Sequence, residues 1–155
     1  MSYLNNLPPI EDLLPHRGTM LLLDHIIAFD NESTTTEYTP HNDAWYADAK
    51  GNMPAWIGIE LMAQTVAAHV GLLKHREGAP LKHGVLLGTR RFASSQPFFA
   101  AGEPLPIDVQ MIFRDVSGLG AYECQLSSCG KDVASATLKV FEPGDFQSYL
   151  QTPSL

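Results

Sequence analysis

A glutamate and a glutamine stand four residues apart in an otherwise apolar segment that runs from Met53 to Leu73. Residues at positions i and i+4 share one face of a helix, so Glu60 and Gln64 are predicted to lie one above the other. Their neighbours are apolar on all sides, which is typical of a helix buried over most of its surface. A carboxyl group in such a place is paired with another group, kept protonated, or used in proton transfer. Glu60 is therefore the main candidate for chemistry.

The elements that would position this carboxyl group can be predicted from apolar patterns and turn residues. The central helix follows Pro54 and ends near Glu77, just before Gly78. A shorter helical turn is predicted at Ile10–Leu14, and a polar loop is predicted over residues 40–52. The remaining apolar and β-branched segments indicate six strands, at Met20–Phe29, Thr34–Thr39, His83–Phe92, Leu105–Val116, Leu119–Ser128 and Val133–Phe141.

A helix that is apolar all round needs cover on nearly every side. A curved antiparallel sheet provides that cover, so the sequence predicts an α+β chain with the hot-dog fold, in which the sheet wraps around one long central helix. A sheet with the helix lying flat on one face fits the same pattern almost as well. The short connections at 117–118 and 130–131 favour antiparallel hairpins. We expect a single hot-dog domain over residues 1–144 and a weakly structured tail over residues 145–155.

Composition narrows the classes of function. The chain has 155 residues, a net charge of −7 and a pI near 5.2, which argues against a nucleic-acid partner because phosphate binding uses clustered Lys and Arg. No apolar stretch is long enough to span a membrane, and the first residues do not resemble a signal peptide, so a cytoplasmic location is expected. Cys124 and Cys129 are too sparse for a zinc site, and we expect neither a metal nor a cofactor.

Three segments resemble one enzyme family. Residues 14–24, LPHRGTMLLLD, resemble the LPHRxxxLLxD opening of β-hydroxyacyl-acyl-carrier-protein dehydratases. Residues 53–64, MPAWIGIELMAQ, resemble the MPG…EAMAQ helix of the family, and residues 102–105, GEPL, resemble its PGDxL strand entry. The resemblance is stronger to the aryl-polyene (ApeP-like) group, whose LPAWIGIELMAQT and LLGTRRF motifs correspond to residues 54–65 and 86–92.

The resemblance implies removal of water from a 3-hydroxyacyl thioester carried by acyl carrier protein, in aryl-polyene or fatty-acid-type synthesis. That reaction takes a proton from the carbon beside the thioester carbonyl and gives a proton to the departing hydroxyl. Glu60, kept protonated by apolar surroundings, would give the second proton. Backbone N–H groups near Ala55 and Gly58 would polarise the carbonyl, Trp56 would line the acyl channel, and Gln64 would orient the carboxyl group.

The base is not fixed by the resemblance. The dehydratases carry a histidine fourteen residues before the glutamate, and that position holds Tyr46 in this chain. A phenol titrates at about pH 10, so Tyr46 is expected to bind and orient substrate rather than take its proton. His16 and His41 are the candidate bases, because an imidazole titrates near neutrality. Either histidine could act from its own subunit or from a partner.

The oligomer and two other functions stay open at this point. The resemblance implies either a homodimer or a hetero-oligomer with another hot-dog subunit, because active sites of this fold typically lie between subunits. A non-catalytic subunit that binds acyl chains, or that completes the site of a partner, would suit the missing histidine. A hot-dog thioesterase, in which the helix carboxylate activates water, is the remaining alternative.

Overall fold

A computed structural model describes residues 7–14, 18–80 and 84–142. The predictions for His16, for the strand start at His83 and for the tail over 145–155 lie outside these residues. The helices are α1 (Ile10–Leu13) and α2 (Ile57–Glu77), with a 3-10 turn at Gly18–Met20. The strands are β1 (His25–Phe29), β2 (Ser33–Tyr38), β3 (Met53–Pro54), β4 (Val85–Ser94), β5 (Phe98–Phe99), β6 (Leu105–Arg114), β7 (Leu119–Ser128) and β8 (Lys131–Phe141).

Six of the strands form one antiparallel sheet in the order β1-β2-β6-β7-β8-β4. Strands β3 and β5 pair separately. Helix α2 packs chiefly on β2, β6 and β7 and also reaches β4 and β8, so the sheet covers it from several directions. The predicted hot-dog fold is confirmed. The expected loop over residues 40–52 is confirmed too, since it contains neither helix nor strand.

Helix α2 is held by its apolar residues and by its C-terminal end. Gly78 adopts a left-handed conformation (φ 70°), and its N–H donates to the carbonyl oxygen of His75 at 3.1 Å. The next N–H, of Ala79, donates to the carbonyl oxygen of Lys74 at 2.9 Å, so two terminal carbonyls are satisfied. Within residues 7–14, 18–80 and 84–142, no helix combines the length and the apolar character that crossing a membrane requires.

The sheet turns its apolar residues towards α2. Leu105, Ile107 and Val109 alternate inward along β6 and are fully buried. The β7–β8 hairpin closes through Cys129 (φ 52°) and Gly130 (φ 79°), and positive φ at both central residues is the signature of a tight hairpin turn. These features give α2 a fixed apolar wall.

The first long strand begins later than predicted. The sequence pattern favours a strand over Met20–Phe29, whereas β1 begins at His25. The apolar side chains of Leu22 and Leu23 are buried as expected, but the N–H of Leu22 donates to Oε1 of Gln64 at 3.0 Å rather than to a neighbouring strand. At Leu22, a hydrogen bond to the central helix therefore takes the place of the strand-to-strand hydrogen bond that the predicted strand would have formed.

Candidate functional site

Glu60 lies in the first turn of α2, half-buried, and Gln64 lies one turn further, fully buried. Nε2 of Gln64 donates to Oε1 of Glu60 at 3.0 Å and to the carbonyl oxygen of Met20 at 2.7 Å. Oε1 of Gln64 accepts the N–H of Leu22 at 3.0 Å. The amide oxygen and the amide nitrogen of Gln64 are both hydrogen-bonded. Gln64 therefore joins the segment at 20–22 to the carboxyl group of Glu60.

Glu60 also lines a groove of about 180 Å³ between α2 and the sheet. A cavity of about 150 Å³ is enough to bind benzene, so this groove has room for part of an apolar chain or one ring. The helix contributes one stripe of residues, spaced three or four apart and mostly small: Glu60, Ala63, Val66, Ala67, Val70, Gly71 and Lys74. The opposite wall includes a row of paired residues across four neighbouring strands: Arg114, Gly120, Val140 and Leu86.

The end of the groove that is remote from Glu60 is polar. Nζ of Lys74 lies 3.4 Å from Oε1 of Glu142, and Nη2 of Arg114 lies 3.2 Å from Oε2 of the same carboxylate. Tyr122 lines this groove as well, and its side chain is fully buried. The groove therefore joins one carboxyl group, through an apolar middle, to a cluster of charged and phenolic groups.

At the start of α2, some of the backbone N–H groups that were expected to face the substrate already have acceptors. The N–H of Ala55 donates to the carbonyl oxygen of Pro97 at 3.0 Å, and that of Gly58 donates to the carbonyl oxygen of Ala55 at 2.9 Å. For Trp56 and Ile57, no backbone acceptor occurs among the described residues. No side chain caps the helix there either, so these two N–H groups are the ones suited to a substrate oxygen.

Gly58 makes ordinary contacts with the sheet. A Cβ placed on it would lie 3.5 Å from Cδ1 of Leu126 and 3.8 Å from Cε1 of Phe92, which is normal van der Waals separation. The space around Gly58 would therefore admit a methyl group.

Tyr46 is buried beside Tyr38 and is not among the residues that line the groove. Its hydroxyl forms a 2.5 Å hydrogen bond with the hydroxyl of Tyr38 and accepts the backbone N–H of His41 at 3.0 Å. The pKa of Tyr38 is raised by burial and by this bond with Tyr46. The side chain of His41 is exposed and its ring meets Tyr38 edge-on at 6.0 Å. His16 lies outside the described residues.

The structure thus brings together Glu60 and Gln64, and separately Tyr46 and His41. Trp56, with 62% of its surface exposed, does not line the groove. The polar end of the groove was not predicted. Tyr122 alternates inward like any core residue of a strand, and the ion pairs of Glu142 join elements that are distant in sequence. No local spacing signals such a cluster.

Comparisons with known proteins agree with one another. The ApeP-like family, described as ApeP dehydratase, matches residues 8–151. Two 3-hydroxyacyl-[acyl-carrier-protein] dehydratases named FabZ, from Vibrio atlanticus and Vibrio campbellii, are 26% identical over 141 and 138 residues, covering 86% of this chain and 91% of each relative.

Solved structures point the same way. The dehydratase heterocomplex ApeI:P from Xenorhabdus doucetiae includes a chain that is 25% identical, with a TM-score of 0.87 over 94% of this chain and 97% of that chain. A hypothetical thioesterase with coenzyme A from Streptococcus pneumoniae, 16% identical, has a TM-score of 0.62 over 78% of this chain and 86% of that chain, which supports the fold alone. Since the family match spans nearly all of the sequence, the chain belongs to the ApeP-like dehydratase family.

Proposed function

We propose that this protein is a 3-hydroxyacyl-acyl-carrier-protein dehydratase in which Glu60 protonates the departing hydroxyl group. The observation that carries the proposal is the place of Glu60: half-buried, oriented by Gln64, and at one end of a groove with an apolar middle. Such a groove suits an acyl chain, and a carboxyl group at its end suits acid catalysis. The similarity to FabZ dehydratases supports an acyl chain carried by acyl carrier protein, and hence a cytoplasmic location.

In the proposed reaction, a base removes a proton from the carbon beside the thioester carbonyl. The electron pair left behind forms the new carbon–carbon double bond, and the bond from the next carbon to the hydroxyl oxygen breaks. That oxygen takes a proton from Glu60 and leaves as water. The N–H groups of Trp56 and Ile57, at the positive end of α2, would stabilise the negative charge that develops on the thioester oxygen. Transfer of the proton from the base to Glu60 then restores the site.

His16 and His41 are the proposed bases within this chain. A second candidate function is favoured by one observation: the position of the family histidine holds Tyr46, whose hydroxyl is bonded to Tyr38 and to the N–H of His41. In that function, the chain supplies Glu60 to a histidine of a different hot-dog subunit. The similarity to a chain of the ApeI:P heterocomplex supports such an assembly.

The test is a mass measurement on 3-hydroxyacyl carrier protein after incubation with the purified protein. We expect the loss of one water, and we expect Glu60→Gln to slow that loss by about a hundredfold or more. Glu77→Gln, an exposed glutamate of the same helix, is the matched control and should act like the wild type. Release of the free acid in place of water would make the protein a thioesterase and contradict the proposal.

The two candidate functions differ in what the protein does alone. Dehydration by the isolated chain, abolished by His16→Ala or by His41→Ala, would identify the base and favour the complete enzyme. An inert chain whose addition to a histidine-bearing hot-dog subunit gives Glu60-dependent dehydration would favour the second function. Absence of dehydration in both settings would refute both.

A further inference from the structure

Tyr122 is a buried polar side chain that the proposed reaction does not use. It is fully buried, and its hydroxyl has no hydrogen-bond partner among the described residues. Its ring packs edge-on against the ring of His69, with centroids 5.7 Å apart. A buried hydroxyl without a partner costs about 1–3 kcal/mol, so its presence in a wall of the groove calls for an explanation.

The hydroxyl lies at the polar end of the groove. A Cβ placed on Gly120, the partner of Arg114 across β6 and β7, would lie 3.6 Å from Cε1 of Tyr122, so the phenol ring is beside this end. Besides burial, the charges of Arg114 and Glu142 act on the pKa of Tyr122. Burial raises this pKa to about 12, and the hydroxyl therefore keeps its proton at neutral pH and can donate it in a hydrogen bond.

Among the residues that line this end of the groove, the cations outnumber the anions. Lys74 and Arg114 share the single carboxylate of Glu142, so two cations face one anion. A phenolic donor beside a net positive charge is complementary to an oxygen that accepts hydrogen bonds, and more so to an anionic one.

The polar end is far from the reacting carbons. Glu60 and Lys74 lie fourteen residues apart on one helix, which corresponds to about 21 Å along its axis. An acyl chain whose 3-hydroxyl lies at Glu60 therefore places only its far end near Tyr122, and only if the chain is long and extended.

We propose that Tyr122, with Lys74 and Arg114, forms a subsite for an oxygen-bearing group, a carboxylate or a hydroxyl, at the far end of the acyl chain. The inference rests on the proposed function, because the ligand is the same thioester-linked chain. The residues between the two ends, such as Ala63, Ala67 and Gly71, are small, and an extended chain would lie along them. The protein would then select its substrates by their remote end as well as by the 3-hydroxyl group.

The test is direct binding of unreactive thioether analogues of acyl-pantetheine to the purified full-length protein, measured by calorimetry. Three series of increasing length end in a methyl, a hydroxyl or a carboxylate group. At the length that reaches Tyr122, we expect the hydroxyl to bind about fivefold and the carboxylate about tenfold or more tightly than the methyl end. Equal or tighter binding of the methyl series at every length would overturn the proposal.

Three variants locate the effect. Tyr122→Phe keeps the ring and its packing, and we expect it to reduce both preferences to less than twofold while binding of the methyl series stays unchanged. Tyr38→Phe, which removes another buried phenolic hydroxyl outside the groove, should leave both preferences intact. Arg114→Gln should weaken the carboxylate preference and spare the hydroxyl preference. Unchanged preferences in Tyr122→Phe would remove Tyr122 from the subsite.

This experiment can fail independently of the proposed function, because the analogues cannot be dehydrated. If the end-group preference is present but dehydration is absent, the subsite stands and the proposed reaction falls. If dehydration occurs with no end-group preference at any length, only the subsite falls.

Discussion

The side-chain amide of Gln64 donates a 3.0 Å hydrogen bond to Oε1 of Glu60, while its other N–H donates to the carbonyl oxygen of Met20. A single buried residue therefore holds both the candidate acid and the segment that precedes β1. Loss of this amide should affect stability and catalysis together.

We expect Gln64→Met to lower the free energy of unfolding by about 1–3 kcal/mol, because the N–H of Leu22 loses its acceptor at a buried position and the carbonyl of Met20 loses its donor. Urea unfolding measures this change. Gln125→Met, at an exposed position on β7, is the control and should stay within about 0.5 kcal/mol of the wild type. A Gln64 variant as stable as the wild type would mean that other groups hold the 20–22 segment.

Tyr122→Phe and Tyr38→Phe should change stability in opposite directions. The first removes a buried hydroxyl with no partner among the described residues, so the free energy of unfolding should rise by about 1 kcal/mol. The second removes the hydroxyl that is bonded to Tyr46, so the free energy of unfolding should fall by about 1 kcal/mol or more. Thermal and urea unfolding measure both, and loss of stability in Tyr122→Phe would show that its hydroxyl has a partner.

His69 should make the protein less stable in acid. Its side chain is fully buried, Nδ1 is hydrogen-bonded to Oγ1 of Thr34 at 2.7 Å, and burial lowers its pKa from 6.5 to about 4. The unfolded chain therefore binds a proton below pH 6.5 that the folded chain takes up only near pH 4. Stability should be unaffected by this residue above pH 6.5, fall as the pH drops, and level off near pH 4 after a loss of about 3 kcal/mol.

Urea unfolding between pH 7 and pH 4 checks this prediction, with His69→Gln compared with His75→Gln, an exposed histidine of the same helix. The slope between the two pKa values should be shallower in His69→Gln and unchanged in His75→Gln. Identical slopes in the two variants would contradict the assignment to His69.

Ala67→Leu should shorten the ligands that the groove accepts. Ala67 is half-buried in the middle of the groove stripe, so a leucine there would occupy space that a long chain needs. We expect affinity for long acyl-pantetheine thioethers to fall about tenfold or more while short ones bind as before. Ala100→Leu, at an exposed position outside the groove, is the control. An equal loss for all lengths would indicate general disruption rather than a blocked channel.

Much of the fold could be predicted from local features. The apolar run before Gly78 predicted α2, and the predicted end near Glu77 agrees with the structure. The turn residues around Gly130 predicted the hairpin between β7 and β8. The error at the start of β1 has a tertiary cause, because a buried amide in α2 competes successfully for the N–H of Leu22. Strands β3 and β5, of two residues each, were too short to give a periodic signal.

The candidate site was predictable only where its members share one helix. Glu60 and Gln64 lie at i and i+4, so their contact follows from helical geometry. Strand pairing brings Tyr122 into the groove, and an ion pair with Lys74 joins Glu142 to the end of α2. No spacing in the sequence predicts either contact. The chemistry at the near end of the groove was therefore accessible from sequence, and the polarity of its far end was not.

The amide of Gln64 has a consequence for the geometry of proton delivery. Its oxygen faces the N–H of Leu22, so the amide cannot turn over without setting two donors against each other. Oε1 of Glu60 accepts a hydrogen bond from this amide, so we expect a proton transferred by Glu60 to be carried on Oε2. The hydroxyl oxygen receives that proton as it leaves, so delivery from Oε2 alone favours a hydroxyl group that departs on the side facing this oxygen. The handedness of the 3-hydroxy group that the protein accepts would then be set by the orientation of a neighbouring amide.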